Sequence, residues 1–244
     1  QSTNPVGVLF NTDGTTMFVA LQTNDRIYQY TLSTAFDLST ASYASKSYSV
    51  GSQESQLEGF AFNNDGTIMY VVGRGNDTVY QYTLSTAFDI STASYASKSL
   101  NVSSQDTIPL GLRFNPEGTK LFVIGETNQN VYQYSLATAF DISTASYDSL
   151  TLYVGGQDIY PHDFIFNNDG TKLIILGDST DTAYQYSVRS DVTVLQLGTG
   201  SFASADVGKT IEANSGVFVL TATDGSFVET TAPTSYDQVA SGSW

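Results

Sequence analysis

Amide and carboxylate side chains recur at two loop positions of this sequence, and the copies are spaced 52 residues apart. One position precedes the first predicted strand of each repeat, and the other lies between two later strands. Amides and carboxylates on one face could bind a sugar or a cation, and Ca²⁺ is the one possible cofactor. The alternative is that they form ordinary solvated turns. The candidate ligand-binding residues are Asn24, Asp25, Asn76, Asp77, Asn128, Asp181, Gln53, Gln105 and Gln157.

Two further sets of acidic residues are better explained by local structure than by metal binding. The first set lies in Asp-Gly or Glu-Gly turns, where hairpin geometry already requires this chemistry, and the sequence contains no D-x-D-x-D-G calcium loop. The second set precedes Leu/Ile-Ser-Thr-Ala-Ser, where an Asp oxygen would cap a single helical turn. The turn residues are Asp13, Asp65, Glu117 and Asp169, and the cap residues are Asp37, Asp89 and Asp141.

The only histidine, His162, stands beside Asp163 and could be half of a catalytic triad. It has no counterpart in the other repeats, and the sequence contains neither a Gly-x-Ser-x-Gly elbow nor a cysteine. Paired tyrosines such as Tyr28 and Tyr30 could stack on a sugar, but we expect them to pack in the core with their hydroxyls bonded at its edge.

A 52-residue internal repeat must position all of these side chains. Tyr80–Tyr95 (YQYTLSTAFDISTASY) returns almost unchanged at Tyr28–Tyr43 and Tyr132–Tyr147, and its beginning returns at Tyr184–Val188. A strict long period without insertions indicates a repeat architecture. In the second repeat, β-branched and aromatic runs predict four strands, at Gly59–Phe62, Thr67–Val72, Thr78–Leu84 and Tyr95–Val102.

Four short strands in a repeat of about 50 residues match a β-propeller blade, whereas solenoid coils are shorter and sandwiches need about 100 residues. We therefore predict an all-β chain with four-stranded blades in residues 1–197, in repeats starting near 1, 53, 105 and 157. A small β-module follows at 198–244. A fourth outer strand could come from Asp191–Leu197. Four blades can close a ring; the alternatives are further blades or a second chain, and the start at Gln1 favours a fragment of a longer protein.

The segment Phe114–Val123 (FNPEGTKLFV) and the Val-Tyr-Gln-Tyr strand that follows it resemble YVTN and lactonase-like propeller repeats over residues 1 to about 188. This resemblance implies a propeller fold. Lactonase-like enzymes hold a divalent metal with Glu, Asn, Asp or His from different blades. The loop positions here are repeated nearly identically, whereas a reacting substrate is not fourfold symmetric. We therefore expect no enzyme.

The C-terminal residues resemble a module of tailed-phage structural proteins. The resemblance rests on Asp206–Ile211 (DVGKTI), on Gly216–Ser226 with Asp224-Gly225 at a predicted hairpin, and on a closing Trp244. It implies a phage tail or fibre protein carried on the virion.

The chain is strongly acidic. Nine Lys and Arg against 24 Asp and Glu give a net charge of −15, which opposes binding to nucleic acid. No apolar run approaches the ~18 residues of a membrane span, so we expect no membrane insertion. The absence of cysteine excludes disulfides and thiolate zinc sites.

From these features we expect a non-enzymatic, virion-associated β-propeller that acts in adhesion, in glycan binding or as structural decoration. Its partners would be a host-surface glycan or other virion proteins, a homo-oligomer is possible, and its location would be the virion or the extracellular space. The alternatives are a lactonase-like metal-dependent hydrolase and a secreted bacterial surface or matrix binding protein.

Overall fold

A computed structural model describes residues 4–167 and 170–188 together with the segments 210–213, 216–220, 227–231 and 238–242. These residues form strands β1–β19 and single turns of 3-10 helix. The strands are β1 Pro5–Phe10, β2 Thr16–Leu21, β3 Arg26–Leu32, β4 Ala41–Ser49, β5 Leu57–Phe62, β6 Ile68–Gly73, β7 Thr78–Leu84, β8 Ala93–Asn101, β9 Pro109–Phe114, β10 Lys120–Gly125, β11 Asn130–Leu136, β12 Ala145–Tyr153, β13 Pro161–Phe166, β14 Lys172–Gly177, β15 Ala183–Ser187, β16 Thr210–Ala213, β17 Gly216–Leu220, β18 Phe227–Thr231 and β19 Gln238–Gly242. The 3-10 turns are Gln22–Asn24, Leu38–Thr40, Ile90–Thr92 and Ile142–Thr144.

Four sheets of four strands form the blades of a four-bladed β-propeller, which confirms the predicted fold class. In the first three blades the strands follow chain order, as β1-β2-β3-β4, β5-β6-β7-β8 and β9-β10-β11-β12. The fourth sheet has the order β13-β14-β15-β19, so its fourth strand is β19. The predicted strand at Asp191–Leu197 lies outside the described residues.

The turn between the first two strands of each blade depends on glycine. Gly14, Gly66 and Gly118 have φ of 73°, 72° and 69°, a region that L side chains rarely adopt. In the second blade, Oδ1 of Asp65 accepts hydrogen bonds from the Thr67 amide at 3.0 Å and the Thr67 hydroxyl at 2.6 Å. These bonds lower the pKa of Asp65, since they favour its charged form. The hairpin interpretation is thus confirmed here; Asp169 lies outside the described residues.

The 3-10 turns Leu38–Thr40, Ile90–Thr92 and Ile142–Thr144 are capped as predicted. Oδ1 of Asp89 accepts a hydrogen bond from the Ser91 amide at 3.1 Å, and Asp37 and Asp141 make the same bond with their own serines. Asp89 also binds Lys46 of the preceding blade at 2.6 Å. These carboxylates therefore stabilise local structure and, in the second and third blades, the contact with a neighbouring blade.

Neighbouring blades meet through a repeated set of contacts. The Ile90 amide, in the second blade, donates to Oε1 of Gln29 in the first at 3.1 Å, and the Ile142 amide donates in the same way to Gln81. These two 3-10 turns thereby lie on the third strand of the blade before them. Apolar side chains fill the space between the blades, and the tyrosine hydroxyls bond at its edge, as in Tyr82 to Gln53 at 3.2 Å. The core role predicted for the paired tyrosines is confirmed for Tyr82.

Each of the first three outer strands contains a β-bulge. Gln29 pairs with Lys46 while the next residue, Tyr30, pairs with Tyr43, so two residues of β4 have no opposite partner. The second of these, Ser45, has φ of 58°. The same irregularity and the same positive φ recur at Ser97 in β8 and Ser149 in β12.

The chain divides into two compact units. The first unit extends to Ile165 and also contains Ile175–Ala183; the second contains Phe166–Ile174 and the chain from Tyr184 to Gly242. Within the second unit, β16, β17 and β18 form a three-stranded antiparallel sheet. The predicted hairpin at Asp224-Gly225 lies outside the described residues. None of the described helices has the length and apolar character needed to cross a membrane.

Candidate functional site

The loop residues predicted to bind ligands are brought together in pairs. The Asn76 amide side chain donates to the Gln53 carbonyl at 2.7 Å, and Asn128 donates in the same way to Gln105 at 2.8 Å. The two loop positions therefore adjoin, as predicted from the blade pattern. Because these asparagines already bond to backbone, their visible role is to hold one loop to the other.

The remaining predicted loop residues also support the backbone. Asn24 donates to the Tyr28 hydroxyl at 2.7 Å, and Oδ1 of Asp25 accepts from the Leu57 amide at 3.1 Å. Asp25, Asp77 and Asp181 adopt positive φ of 48°, 50° and 52°, which aspartate tolerates better than most residues. Gln157 donates its backbone N–H to the Val154 carbonyl at 3.0 Å. Ligand binding by this face stays a prediction.

A row of acids directly follows the predicted glutamines in the sequence. Asp106 and Asp158 are buried, and their carboxylates accept the backbone amides of a loop in the same blade. Glu54 occupies the same place in the second blade, where Oε1 accepts the Gln56 and Gly75 amides at 2.8 Å each. Its Oε2 is buried without a hydrogen-bond partner, and burial raises the pKa of Glu54.

The first strands of the blades break the repeat where they surround a small central cavity. Glu58 and His162 align with Val6 and Leu110, while Asp163 stands where the other blades have glycine. Arg113 likewise aligns with Leu9, Ala61 and Ile165. The cavity is lined by Val6, Gly7, Val8, Leu9, Glu58, Gly59, Phe60, Arg113 and Asp163. We refer to the lining residues Glu58, Arg113 and Asp163, together with Arg74 and His162, whose charges act on Glu58, as the inner-strand cluster.

Glu58 is the most deeply buried carboxylate of the inner-strand cluster. Its side chain is 3% exposed, and Oε1 forms a salt bridge with Nε of Arg74 at 2.8 Å and accepts the side-chain amide of Gln22. Oε2 makes no hydrogen bond among the described residues. Burial raises the pKa of Glu58, and the charges of Arg74 and His162 lower it in part. A buried acid with a raised pKa is typical of a general acid or base.

Arg113 and Asp163 form the second polar pair. Nη2 of Arg113 donates to Oδ2 of Asp163 at 2.7 Å, and Nη1 donates to the Leu112 carbonyl at 2.7 Å. Oδ1 of Asp163 accepts the Phe164 amide at 2.8 Å. A Cβ on Gly111 would lie 2.7 Å from that same Oδ1, so the aspartate needs the glycine of the neighbouring blade. The pair thus joins the first strands of the third and fourth blades.

The residues present do not fit the divalent metal that the lactonase-like resemblance implies. Across residues 4–167 and 170–188, no three His, Asp or Glu side chains lie together in a way that could hold an ion. The two carboxylates of the inner-strand cluster each bind a guanidinium instead. No metal-dependent step is therefore derived from this site.

The inner-strand cluster can perform acid–base chemistry at the edge of the cavity. The cavity volume of about 10 Å³ is at the lower limit for a single water molecule. A substrate would therefore lie at the mouth, with a water molecule beside Glu58. Arg74, which pairs with Glu58 through Nε, has a side chain that is 40% exposed and carries further N–H donors.

The sequence contains the signal for this cluster on the first strands, whereas the prediction used the loops. Symmetry was compared at the loop positions, which are nearly identical. The break lies on the first strands, where Val6, Glu58, Leu110 and His162 occupy one position of the repeat. Single polar residues in an apolar strand resemble ordinary variation until the structure places them around one cavity.

The comparisons with known proteins identify the fold and no closer family. No protein-family model matches this chain, and no curated protein matches it. Among solved structures, a protein of unknown function from Desulfotomaculum acetoxidans has a TM-score of 0.53 at 11% identity, covering 77% of this chain and 56% of its own. A putative 6-phosphogluconolactonase from Bacteroides fragilis has a TM-score of 0.52 at 15% identity, covering 76% and 51%.

A second putative 6-phosphogluconolactonase, from Bacteroides uniformis, has a TM-score of 0.54 at 13% identity and covers 94% of this chain and 70% of its own. The chain spans about half the length of the first two structures. At these identities the likeness shows the fold alone, which is a β-propeller.

These structures contradict the expectation that the chain is not an enzyme. That expectation rested on loop positions that repeat nearly identically from blade to blade. The similar propellers include proteins named as lactonases, and the inner strands of this chain do break the symmetry. The comparisons give no support to the phage tail, virion, adhesion or carbohydrate-binding interpretations.

Proposed function

We propose that this propeller is a lactonase-like hydrolase that opens a sugar lactone at the inner-strand cluster. The observation that carries the proposal is the symmetry break that places Glu58, Arg113 and Asp163 around the central cavity. The fold shared with proteins named as putative 6-phosphogluconolactonases supports the substrate class. Because the cluster lacks a metal-binding set, the proposed reaction uses side chains only.

Glu58 is the proposed general base and acid. It takes a proton from water as the water oxygen bonds to the lactone carbonyl carbon. The bond between that carbon and the ring oxygen then breaks, and the ring oxygen receives the proton back from Glu58, which leaves a hydroxy acid. Burial raises the pKa of Glu58, which makes its carboxylate a stronger base for the first transfer.

Arg74 is proposed to stabilise the negative charge that develops on the carbonyl oxygen. One N–H of its guanidinium binds Glu58, and the others remain to donate to an oxyanion at the mouth. The Arg113–Asp163 pair is proposed to fix the facing wall of the cavity, since both of its groups are held by further backbone bonds.

The proposal is tested by hydrolysis of glucono-1,5-lactone and of its 6-phosphate. A pH-stat measures the rate from the protons that are released. Glu58→Gln should lower kcat by about 10²- to 10⁴-fold while the melting temperature stays within a few degrees of the wild type. Glu117→Gln is the matched control, because Glu117 lies in an exposed turn where it binds Asn115. Its activity should equal that of the wild type.

Two results would overturn the proposal. One is a wild-type chain that opens neither lactone faster than buffer. The other is a Glu58→Gln variant that retains the wild-type kcat, which would remove Glu58 from the chemistry even if hydrolysis occurs.

A further inference from the structure

The contact between blades places one side chain of each first strand against the blade before it. Phe60 of the second blade is buried over the first, and a Cβ on Gly7 would lie 3.2 Å from its ring. Ala20, on the second strand of the first blade, belongs to the same buried cluster. In the next interface, Leu112 and Val72 take these two places. Both contacts between neighbouring blades therefore use the same two positions of the repeat, one from each blade.

The first blade exposes the side of this contact that faces a preceding blade. Val8 occupies the place of Phe60 and Leu112 but is 55% exposed, whereas both of those residues are buried. Leu38 occupies the place of Ile90 and is 62% exposed, whereas Ile90 is fully buried. An apolar surface that is covered in the other blades is therefore uncovered here.

The fourth blade exposes the complementary side. Leu176 occupies the place of Ala20 and Val72 but is 54% exposed, although both of those residues are fully buried. Ile165, in the place of the buried Ala61, is 56% exposed. The chain thus presents the two halves of its own blade contact on two separate surfaces.

We propose that a second copy of this chain covers both surfaces. The first blade of each copy packs on the fourth blade of the other, which gives a two-fold symmetric ring of eight blades. A head-to-tail contact that closes after two copies leaves neither surface exposed, and eight blades lie within the usual range for propellers.

The residue types at the proposed contact match those of an existing one. Val8 of one copy would meet Leu176 of the other, as Leu112 and Val72 meet in one buried cluster. The two pairs contain the same residue types in exchanged places, so the combined side-chain volume is unchanged. Close packing is sensitive to this volume. An unrelated partner would have no reason to match it.

The mass of the full chain in solution tests the proposal. Light scattering during size-exclusion chromatography should give twice the chain mass of 26.3 kDa. Val8→Asp and Leu176→Lys should each raise the dissociation constant at least about 100-fold, because each dimer would bury two unpaired charges. Circular dichroism establishes that both variants keep their strand content.

Mixing the two variants provides the decisive measurement. A mixed dimer has one wild-type contact and one in which the carboxylate introduced by Val8→Asp faces the ammonium group introduced by Leu176→Lys. The dimer should therefore return at concentrations where each variant alone is monomeric. Tyr153→Asn is the matched control, because Tyr153 is exposed on an outer strand where Asn101 is also exposed. It should remain dimeric.

Three results would overturn the proposal. A monomeric wild type means that the surfaces are free or are covered by other residues of the same chain. A Leu176→Lys variant that stays dimeric means that the copies meet elsewhere. Two monomeric variants that fail to pair on mixing exclude the head-to-tail arrangement. Lactone hydrolysis by the wild-type chain is a separate measurement, so failure of this proposal is distinguishable from failure of the proposed function.

Discussion

The hydroxyl of Tyr70 makes one of the hydrogen bonds between the second and third blades. Removing this hydroxyl should measure what that bond contributes to stability. The side chain is fully buried, its hydroxyl donates to the Phe140 carbonyl at 2.6 Å, and its ring packs on Phe114 with centroids 4.4 Å apart. Burial also raises the pKa of Tyr70, so the hydroxyl stays protonated at all working pH values. Tyr70→Phe keeps the ring contact and deletes only the donor.

The expected loss is about 1–2 kcal/mol in the free energy of unfolding. A buried carbonyl that loses its donor costs about 1–3 kcal/mol, and the phenylalanine recovers a part of this because no hydroxyl has to be desolvated. At about 2–4 °C per kcal/mol for a chain of this size, the melting temperature should fall by about 2–8 °C. Urea unfolding, monitored by far-UV circular dichroism, gives the free energy of unfolding. An unchanged m-value shows that wild type and variant expose the same amount of surface on unfolding.

Two further variants serve as comparisons for Tyr70→Phe. Tyr153→Phe deletes the same atom from an exposed side chain and should change stability by no more than about 0.5 kcal/mol. Phe18 occupies the place of Tyr70 in the first blade, so Phe18→Tyr tests whether a hydroxyl there reaches the equivalent Phe88 carbonyl. If Tyr70→Phe costs no more than Tyr153→Phe, the bond contributes nothing measurable and the reasoning is refuted.

Three further changes test the packing and the buried acids, with urea unfolding as the measurement throughout. Gly66→Ala should cost at least about 2 kcal/mol, because Gly66 has φ of 72° and an added Cβ would overlap the Phe88 ring; Gly156→Ala, with open space around it, should be within about 0.5 kcal/mol of the wild type, and equal losses would contradict this. Leu112→Ala should lower the free energy of unfolding by about 2–5 kcal/mol, because Leu112 is fully buried in the contact between blades. A loss below about 1 kcal/mol would show that neighbouring side chains move into the space that the leucine leaves. The raised pKa of Glu54 means that the folded state binds this proton more tightly than the unfolded state, so the wild type should lose stability as pH rises above 4.5. Glu54→Gln should reduce that loss. Parallel pH profiles for wild type and variant would show that Glu54 does not titrate differently on folding.

The sequence was sufficient for the blade and its local devices. The 52-residue period, the predicted strand Thr78–Leu84 and the caps at Asp89 and Asp141 all agree with the structure. Such features depend on residues close together in the chain, where turn chemistry and alternation act directly. The same is true of the Gly66 turn, whose Asp65 bonds to a residue two positions away.

The inner-strand cluster could not be read in the same way. Glu58 belongs to the second blade and bonds to Gln22 of the first, while Arg113 and Asp163 come from the third and fourth. These contacts depend on how the blades surround the cavity, and one sequence without its structure does not reveal which strand faces the centre. The buried role of Glu54 was hidden for a related reason, since it depends on the loop amide of Gly75, which lies 21 residues away.

The bulges at Ser45, Ser97 and Ser149 have a consequence for solubility. An outer strand leaves a row of backbone donors and acceptors unpaired, and a flat row of this kind recruits strands of other molecules. A residue at φ of 58° bends the strand in its middle, so an added strand could pair along only half of its length. Together with the net charge of −15, this should keep a chain composed largely of β-strands from forming fibrils at concentrations where a chain with straight outer strands would aggregate.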